Sequence, residues 1–326
     1  MSVFFGNELN QVSGPVRRGS DRVGSTKWRE HANEGLTIRT RDGRSVTLPN
    51  YIINSHIDPN VRDYERTEAL RGLNGGDLHQ TMKEAIESGG IRDVQLILHI
   101  DGFDPSGNRN ELIRIAARVG HTEIVRLLLA DPRVDPAADD NQAILIASWN
   151  GHAEVLRLLL ADPRVDPAAD SNEAIRNASR FGYTEVMQLL LADPRVDPAA
   201  DSNEAIRNAS RNGHTEVVRL LLADPRVDPA ANDNKAIRNA SRAGHTEVVQ
   251  LLLADPRVDP AALNNLAILY ASRNGHAEVV QLLLADPRVD PSANNNEAIQ
   301  DALRNGHAEV VRLLLADPRV DPRYAE

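Results

Sequence analysis

The chain has 326 residues, with 37 Lys and Arg against 47 Asp and Glu, so its formal net charge is −10 at neutral pH. Such a chain lacks the basic face that displaces counterions from nucleic acid, so we expect no nucleic-acid partner. It has no cysteine, which excludes disulfides, thiolate nucleophiles and cysteine-based zinc sites. The N-terminus carries no secretory signal and no stretch reaches the roughly 20 apolar residues of a membrane span. We therefore expect a soluble, cytoplasmic protein with no membrane partner.

The first segment, residues 1–35, is rich in glycine, serine and charged residues and poor in aliphatic residues. A segment of this composition cannot bury enough apolar surface to fold, so we interpret it as a flexible arm. Because residues 17–44 are mainly basic, a tether for an anionic partner is the alternative.

Residues 36–78 are predicted to form a small α+β domain with a β-hairpin. The runs LTIRT and RSVTL alternate apolar and polar residues and flank Asp42-Gly43, a strong hairpin signal. Pro49 follows, and NYIINSHI then predicts a short helix. This strand–turn–strand–helix order resembles the start of the Skp1/BTB (POZ) fold over about residues 36–58, which implies recruitment of a ubiquitin-ligase scaffold. A hairpin that caps the first repeat is the alternative.

From residue 110 to 326 the chain consists of seven copies of one 31-residue unit, which begin at Asn110, Asn141, Asn172, Asn203, Asn234, Asn265 and Asn296. We call them copies 1 to 7 and number each unit from its Asn as positions 1 to 31. Residues 79–109 keep the same phase in eroded form, so we expect them to cap the array. A fixed period of this length predicts a stacked solenoid.

Copy 4 shows what each unit is expected to form. Asn203 suits a helix N-cap, and apolar or small residues then recur at helical spacing until Gly213, a common helix stop. A second, largely apolar helix follows and ends at Asp224-Pro225. A loop with Val227 as its apolar anchor closes the unit. The prediction is an all-α helix–turn–helix solenoid.

The run from Ala209 to Leu222 resembles the A-A-x-x-G-H-x-E-V-V-x-L-L-L core of the ankyrin repeat, and the match recurs in every copy. The resemblance implies an ankyrin-type solenoid that binds proteins on its concave face. Two features depart from the family pattern: the Thr-Pro-Leu-His motif is absent, and DPRVDP replaces the usual finger. Repeats of this style are similar to those of giant DNA viruses of amoebae, which would place the protein in a host cytoplasm.

Histidine recurs at position 12 in every copy but the third, where Tyr183 replaces it. Equivalent residues of stacked helices lie roughly 8–10 Å apart, too far to share one zinc ion. We therefore interpret these residues as structural turn histidines; they are His121, His152, His214, His245, His276 and His307. Phosphate-binding loops, nucleophile elbows and metalloprotease motifs are all missing, so we expect no enzyme, no cofactor and no metal.

In a binding array the scaffold positions repeat and the recognition positions vary. Position 9 holds Arg118, Trp149, Arg180, Arg211, Arg242, Arg273 and Arg304, and by the resemblance it faces the concave groove. Arginine at position 5 shares the same helix face, so stacked copies would form an arginine ladder. The ladder fits a partner with an acidic surface; pairing with Glu or Asp of neighbouring copies remains the alternative.

Aromatic residues are only 3% of the chain, yet Trp149, Phe181 and Tyr183 fall in adjacent copies. Trp, Tyr and Arg dominate binding hot spots, so we expect a partner-binding site here. Leu269 and Tyr270 make copy 6 more apolar on the same helix and are added to that site. The alternatives are contact with the N-terminal domain for copy 2 and sequence drift for copy 6.

These observations predict a monomeric, non-enzymatic scaffold that binds a protein partner on the concave face of the solenoid. A substrate adaptor for a ubiquitin ligase, with residues 36–78 on the ligase and the repeats on the substrate, is the alternative.

Overall fold

A computed structural model describes residues 36–39, 45–48, 59–73 and 75–325, which fall into two units, 1–74 and 75–326. The first unit contains strands β1 (Leu36–Arg39) and β2 (Ser45–Leu48) and helix α1 (Pro59–Arg71). The strands pair antiparallel, as the sequence predicts, with Leu36 opposite Leu48. The proposed arm, the turn at Asp42-Gly43 and the predicted short helix at 50–57 lie outside the described residues.

The described part of the second unit is a series of helix pairs, one pair per repeat. The eroded copy forms α2 (Gly75–Glu87) and α3 (Ile91–Leu98), so it shares the architecture of the others. The first helices of copies 1 to 7 are α4 (Gly107–Val119), α6 (Ala138–Asn150), α8 (Ala169–Phe181), α10 (Ala200–Asn212), α12 (Ala231–Ala243), α14 (Ala262–Arg273) and α16 (Ala293–Arg304). The second helices are α5 (Thr122–Ala130), α7 (Ala153–Leu160), α9 (Thr184–Ala192), α11 (Thr215–Ala223), α13 (Thr246–Ala254), α15 (Ala277–Ala285) and α17 (Ala308–Leu315). A 3₁₀ helix, Pro322–Ala325, follows. The predicted helix–turn–helix array is confirmed.

The core is built from the same positions in each copy. In copy 4 the buried apolar side chains, each at most 1% exposed, are Ala205, Ile206, Ala209, Val217, Val218, Leu221 and Val227. Val227 is therefore the loop anchor that the sequence predicts. Burying one such valine or leucine contributes about 1.5–3 kcal/mol. Copies 1 to 6 repeat this buried set, and copy 7 departs from it at Val311, which is half-buried. The core is therefore continuous along the array.

The prediction that the position-1 Asn caps a helix is wrong. Asp201, Ser202 and Asn203 form a left-handed turn, with φ of 51°, 57° and 61°, at the start of α10. Asn203 Oδ1 accepts a hydrogen bond from the backbone N–H of Asp228, 2.8 Å away in the loop of the same copy. The Asn residue in each of the seven copies makes this bond. Asn and Asp tolerate left-handed backbone better than other residues with a Cβ, which explains their use here.

The position-12 histidine fixes the junction between neighbouring copies. His245 Nε2 lies 3.0 Å from the carbonyl oxygen of Arg211 in the preceding copy, so the ring N–H donates to it. Four other copies repeat the bond. The ring lies over Gly213, where an added Cβ would come within 2.6 Å of Nδ1. The predicted structural role of the turn histidine is therefore confirmed at these five positions.

The DPRVDP loop supplies a second junction contact. Arg226 Nε and Nη2 donate to the two carboxylate oxygens of Asp224, at 3.0 and 2.6 Å, while Nη1 donates to the carbonyl of Val196 in the preceding copy at 2.8 Å. In all seven copies the arginine of this loop donates the corresponding Nη1 hydrogen bond to a backbone carbonyl of the preceding unit. Hydrogen bonds from the Arg226 side chain hold the pKa of the Asp224 carboxyl below its usual value.

Replacing Gly213 by alanine is expected to destabilise the array through two separable effects. The residue has φ +77°, which costs about 1 kcal/mol for a residue with a Cβ, and the new methyl group would also displace the His245 ring. Gly306 has φ +74° but no atom within 4 Å of the place that an added Cβ would take, so Gly306→Ala incurs only the backbone cost. Urea unfolding should show a larger loss of unfolding free energy for Gly213→Ala; equal losses would contradict close packing of the ring.

Because of the arginine–aspartate contacts, we expect the stability of the array to fall at acid pH. The pKa of Asp224 in the folded state lies below its ordinary value of 3.8, so its contribution is complete above about pH 5 and is lost as pH falls through the lowered pKa. Asp224→Asn should cost roughly 1 kcal/mol at pH 7, and the difference from wild type should shrink steadily as pH falls below the ordinary carboxyl pKa of 3.8.

The matched control is Glu216→Gln, which removes an exposed carboxylate from an i,i+3 pair with Arg219. Exposed pairs of this kind contribute about 0–1 kcal/mol, so its melting temperature should follow the wild type from pH 7 to pH 2. A constant difference between Asp224→Asn and wild type at every pH would contradict the assigned role of the ion pair.

Candidate functional site

Position 9 presents one exposed side chain per copy at the end of each first helix. All seven of these side chains are exposed. At five of the first six, the backbone carbonyl accepts a hydrogen bond from the histidine of the next copy. This carbonyl lies two residues before the left-handed glycine at position 11, as Arg211 does before Gly213. The backbone is therefore fixed while the side chain is free to contact another molecule. The seven residues are Arg118, Trp149, Arg180, Arg211, Arg242, Arg273 and Arg304.

The three aromatic residues of copies 2 and 3 form one cluster. The ring centroids of Trp149 and Phe181 lie 4.6 Å apart in an edge-to-face arrangement, and those of Phe181 and Tyr183 lie 5.9 Å apart. The Arg180 Cζ lies 5.9 Å from the Trp149 centroid and 5.7 Å from that of Phe181. Trp149 remains 44% exposed. We call these four residues the aromatic cluster.

Tyr183 joins the cluster because it replaces the turn histidine of copy 3. Its ring occupies the histidine's place over Gly151, where an added Cβ would lie 2.8 Å from the ring. The substitution thus keeps the packing of the junction and brings a third aromatic ring beside Phe181. Residues that are scattered in the sequence, at positions 9, 10 and 12, meet at one end of the first helices.

The arginines at position 5 mainly stabilise the array itself. Arg176 Nη1 pairs with Glu204 at 2.8 Å and with Asp201 at 2.9 Å. Arg207 Nη2 donates to the backbone carbonyl of Asp201 at 2.7 Å, and Arg238 contacts its own left-handed turn in the same way. The interpretation of position 5 as internal pairing therefore holds for Arg176.

The arginines at position 9 divide into two groups. Arg118 pairs with Glu87 at 2.9 Å, and Arg273 and Arg304 both pair with the buried carboxylate of Asp301, at 2.6 and 2.8 Å. Arg180 belongs to the aromatic cluster, and Arg242 Cζ lies 4.5 Å from the Tyr270 centroid. Within the described residues, Arg180, Arg211 and Arg242 form no ion pair. The ends of the ladder are thus internally paired and its middle is not.

The side chain at position 5 of one copy faces the side chain at position 2 of the next. The charges of these two residues determine whether an ion pair forms across the junction. Lys83 pairs with Glu111 at 2.9 Å and Arg176 with Glu204 at 2.8 Å across such junctions. Between copies 4 and 5 the acidic residue is replaced by Lys235. Sequence reasoning did not single out Lys235, although position 2 is Glu in four copies and Lys in only one.

Copy 6 contributes less to the exposed face than expected. Leu269 is only 6% exposed, so its side chain belongs to the core and we leave it out of the candidate surface. Tyr270 is half-buried beneath Arg242 and keeps part of its ring accessible. Leu263 is 47% exposed and sits in a left-handed turn with φ 53°, a conformation that is unfavourable for leucine.

In the described residues, no group of three or more His, Asp or Glu side chains is arranged to hold a metal ion. Nor does the described part of the chain contain a helix that is long and apolar enough to cross a membrane.

A model of the ankyrin repeat family, described as ankyrin repeats in three copies, matches residues 82–171, 175–264 and 240–324. A crystal structure of an ankyrin repeat domain from Acinetobacter baumannii AYE is similar to the chain, with a TM-score of 0.45 and 23% sequence identity over 54% of this chain and 98% of that one. No curated protein matches the chain. The family model covers well over half of the sequence. The chain therefore belongs to the ankyrin repeat family.

Proposed function

We propose that this chain is a non-enzymatic scaffold that binds a protein partner on the exposed face of its first helices. Ankyrin repeats generally mediate protein–protein interactions. The observation that carries the proposal is the aromatic cluster, which places an exposed Trp149 against Phe181 and Arg180. Exposed, pre-packed aromatic and arginine side chains are the residues that most often carry binding energy.

The face of the first helices is also the one expected to be concave. The first helices of neighbouring copies contact one another more extensively than the second helices do. An array that is tighter on one side curves toward that side. A partner held there would contact the position-9 side chains of several copies at once, with Tyr270 as an additional apolar contact.

The candidate contacts have different roles in this proposal. Trp149, Phe181 and Tyr183 would supply the apolar anchors. The exposed arginines would recognise an acidic surface, because a guanidinium group binds carboxylates with two parallel hydrogen bonds. Arg180, Arg211 and Arg242 form no ion pair with the described residues and would do so directly. Arg118, Arg273 and Arg304 would have to exchange the carboxylates of Glu87 and Asp301 for those of the partner.

The alternative, a ubiquitin-ligase adaptor, rests on the antiparallel pairing of β1 and β2. The described residues of the first unit contain these two strands and α1, and a third strand, which the resemblance requires, is not among them. If a chain lacking residues 1–74 captures the same set of proteins as the full chain, the adaptor function is excluded.

The double variant Trp149→Ala/Phe181→Ala should weaken binding of the partner at least tenfold, because each hot-spot residue typically contributes about 2 kcal/mol or more. The partner is first identified by crosslinking mass spectrometry with the wild-type chain, and its affinity is then measured by calorimetry.

The matched control is Leu303→Ala, which removes a side chain of similar exposure, 45%, on α16 at the far end of the array. This variant should bind with wild-type affinity. The proposed binding face would be wrong if the double variant, folded as judged by circular dichroism, bound the partner as tightly as the wild type.

A further inference from the structure

We propose that an acidic segment of the partner binds between copies 4 and 5, on Arg207, Lys235 and Arg238, with Arg211 and Arg242 beside them. The inference deepens the proposed function and rests on it, because it names the chemistry of the partner and a second contact site on the same face. We call these five residues the cationic site.

The cationic site differs from the other junctions in the charge of the residues that face position 5. Where position 5 is basic, a carboxylate elsewhere faces it, either from position 2 of the next copy or from position 30, in the turn that leads into that copy. Glu111 faces Lys83, Asp139 faces Arg114 and Glu204 faces Arg176. For Arg207 the corresponding residues are Asn232 and Lys235, and for Arg238 they are Leu263 and Leu266. Among the described copies, these two junctions alone combine a position-5 arginine with no carboxylate at the corresponding places.

The like charges at the junction of copies 4 and 5 are unfavourable for folding. Arg207 and Lys235 occupy the places that Arg176 and Glu204 hold, 2.8 Å apart, one copy earlier. Neither forms an ion pair with a described residue, whereas Arg114 and Arg176, whose buried Nε atoms likewise have no hydrogen-bond partner, have the carboxylates of Asp139 and Glu204. Two cations in place of a salt bridge repel each other. A bound anion would remove the repulsion and restore the pairing found at the other junctions.

The neighbouring position-9 arginines extend the site. Arg211 and Arg242 are exposed and form no ion pair with the described residues, whereas Arg118 and Arg273, toward the two ends of the array, already have the carboxylates of Glu87 and Asp301. Arginine and lysine side chains without an ion pair are therefore concentrated on the first helices of copies 4 and 5, where they outnumber the nearby carboxylates of Glu204 and Asp233. This concentration occurs in a chain whose net charge is −10.

The arrangement fits a short extended peptide better than a long polyanion. The cations lie on two adjacent copies, whose equivalent residues are about 8–10 Å apart. Positions 5 and 9 of one helix add about 6 Å along the helix axis. An extended chain rises about 3.3 Å per residue, so roughly three to five residues would cover them. A longer polyanion would meet Glu204 on copy 4 and, beyond copy 5, Glu297 on copy 7. Charge complementarity thus favours a run of Asp and Glu in a protein partner.

The test uses Lys235→Glu in the full chain, which places a carboxylate where Glu204 lies in the preceding copy. The probe is a fluorescein-labelled octaglutamate peptide, and its affinity is measured by fluorescence anisotropy at low and moderate salt. Wild type should bind it, more weakly as salt increases. The variant should bind roughly tenfold more weakly, and its melting temperature should rise because a salt bridge to Arg207 replaces a repulsion.

The matched control is Arg126→Glu, which changes the net charge by the same amount on an exposed position of α5, beside Glu123. It should bind octaglutamate within about twofold of wild type, because surface charges farther away than a Debye length are screened. Wild-type affinity in Lys235→Glu, equal weakening in Arg126→Glu, or no binding by the wild type would overturn the proposal. Tighter binding of a ten-residue oligothymidylate than of octaglutamate would overturn the assignment to an acidic protein segment.

Binding of the captured partner to the two variants distinguishes failure of the cationic site from failure of the proposed binding face. If the Trp149→Ala/Phe181→Ala variant loses this partner and Lys235→Glu retains it at wild-type affinity, the cationic site is wrong and the proposed binding face stands. If both variants retain it, the binding face is wrong as well. Loss in both supports the aromatic cluster and the cationic site as two contacts of one partner.

Discussion

The structure depends on the contacts by which each copy holds the one before it. A turn histidine and a loop arginine donate hydrogen bonds across the junction to backbone carbonyls, as His245 does to Arg211 and Arg226 to Val196. Both acceptors are backbone atoms, so these contacts leave the identity of the preceding side chain free. Only glycine fits beneath the histidine ring, because of its left-handed backbone and the close approach of the ring. These requirements explain why the same positions recur from copy to copy.

The same arrangement allows position 9 to vary. At five of the first six copies its carbonyl accepts a hydrogen bond from the histidine of the next copy, while its side chain is exposed. The exception is Trp149, whose next copy has Tyr183 in place of the histidine. Side chains whose identity the scaffold does not constrain are therefore concentrated on the exposed face of the first helices. On that face the paired arginines lie toward the ends, whereas the aromatic cluster and the cationic site lie between them. A partner with an apolar surface for the aromatic cluster and an acidic segment for the cationic site would bind both.

Much of the fold could be predicted from the sequence because its signals are local: the 31-residue period, the helical spacing of apolar residues, and the glycine–histidine turn. The role of Asn203 could not, since its hydrogen-bond partner, Asp228, lies 25 residues later in the loop. The aromatic residues stood out in the sequence because they break the repeat, but their contact with one another is visible only in the fold. Lys235 was missed because its importance depends on which residue faces it across a junction, and burial of Leu269 likewise depends on packing between copies.

If the exposed face of the first helices binds the partner, binding covers the backbone of these helices. Hydrogen exchange of the full chain, with and without its captured partner, tests this claim directly because backbone amides report which helices are covered. We expect slower exchange in the first helices and left-handed turns of copies 2 to 5, with unchanged exchange in second helices such as Thr215–Ala223. Protection confined to the second helices or to the DPRVDP loops would contradict this expectation.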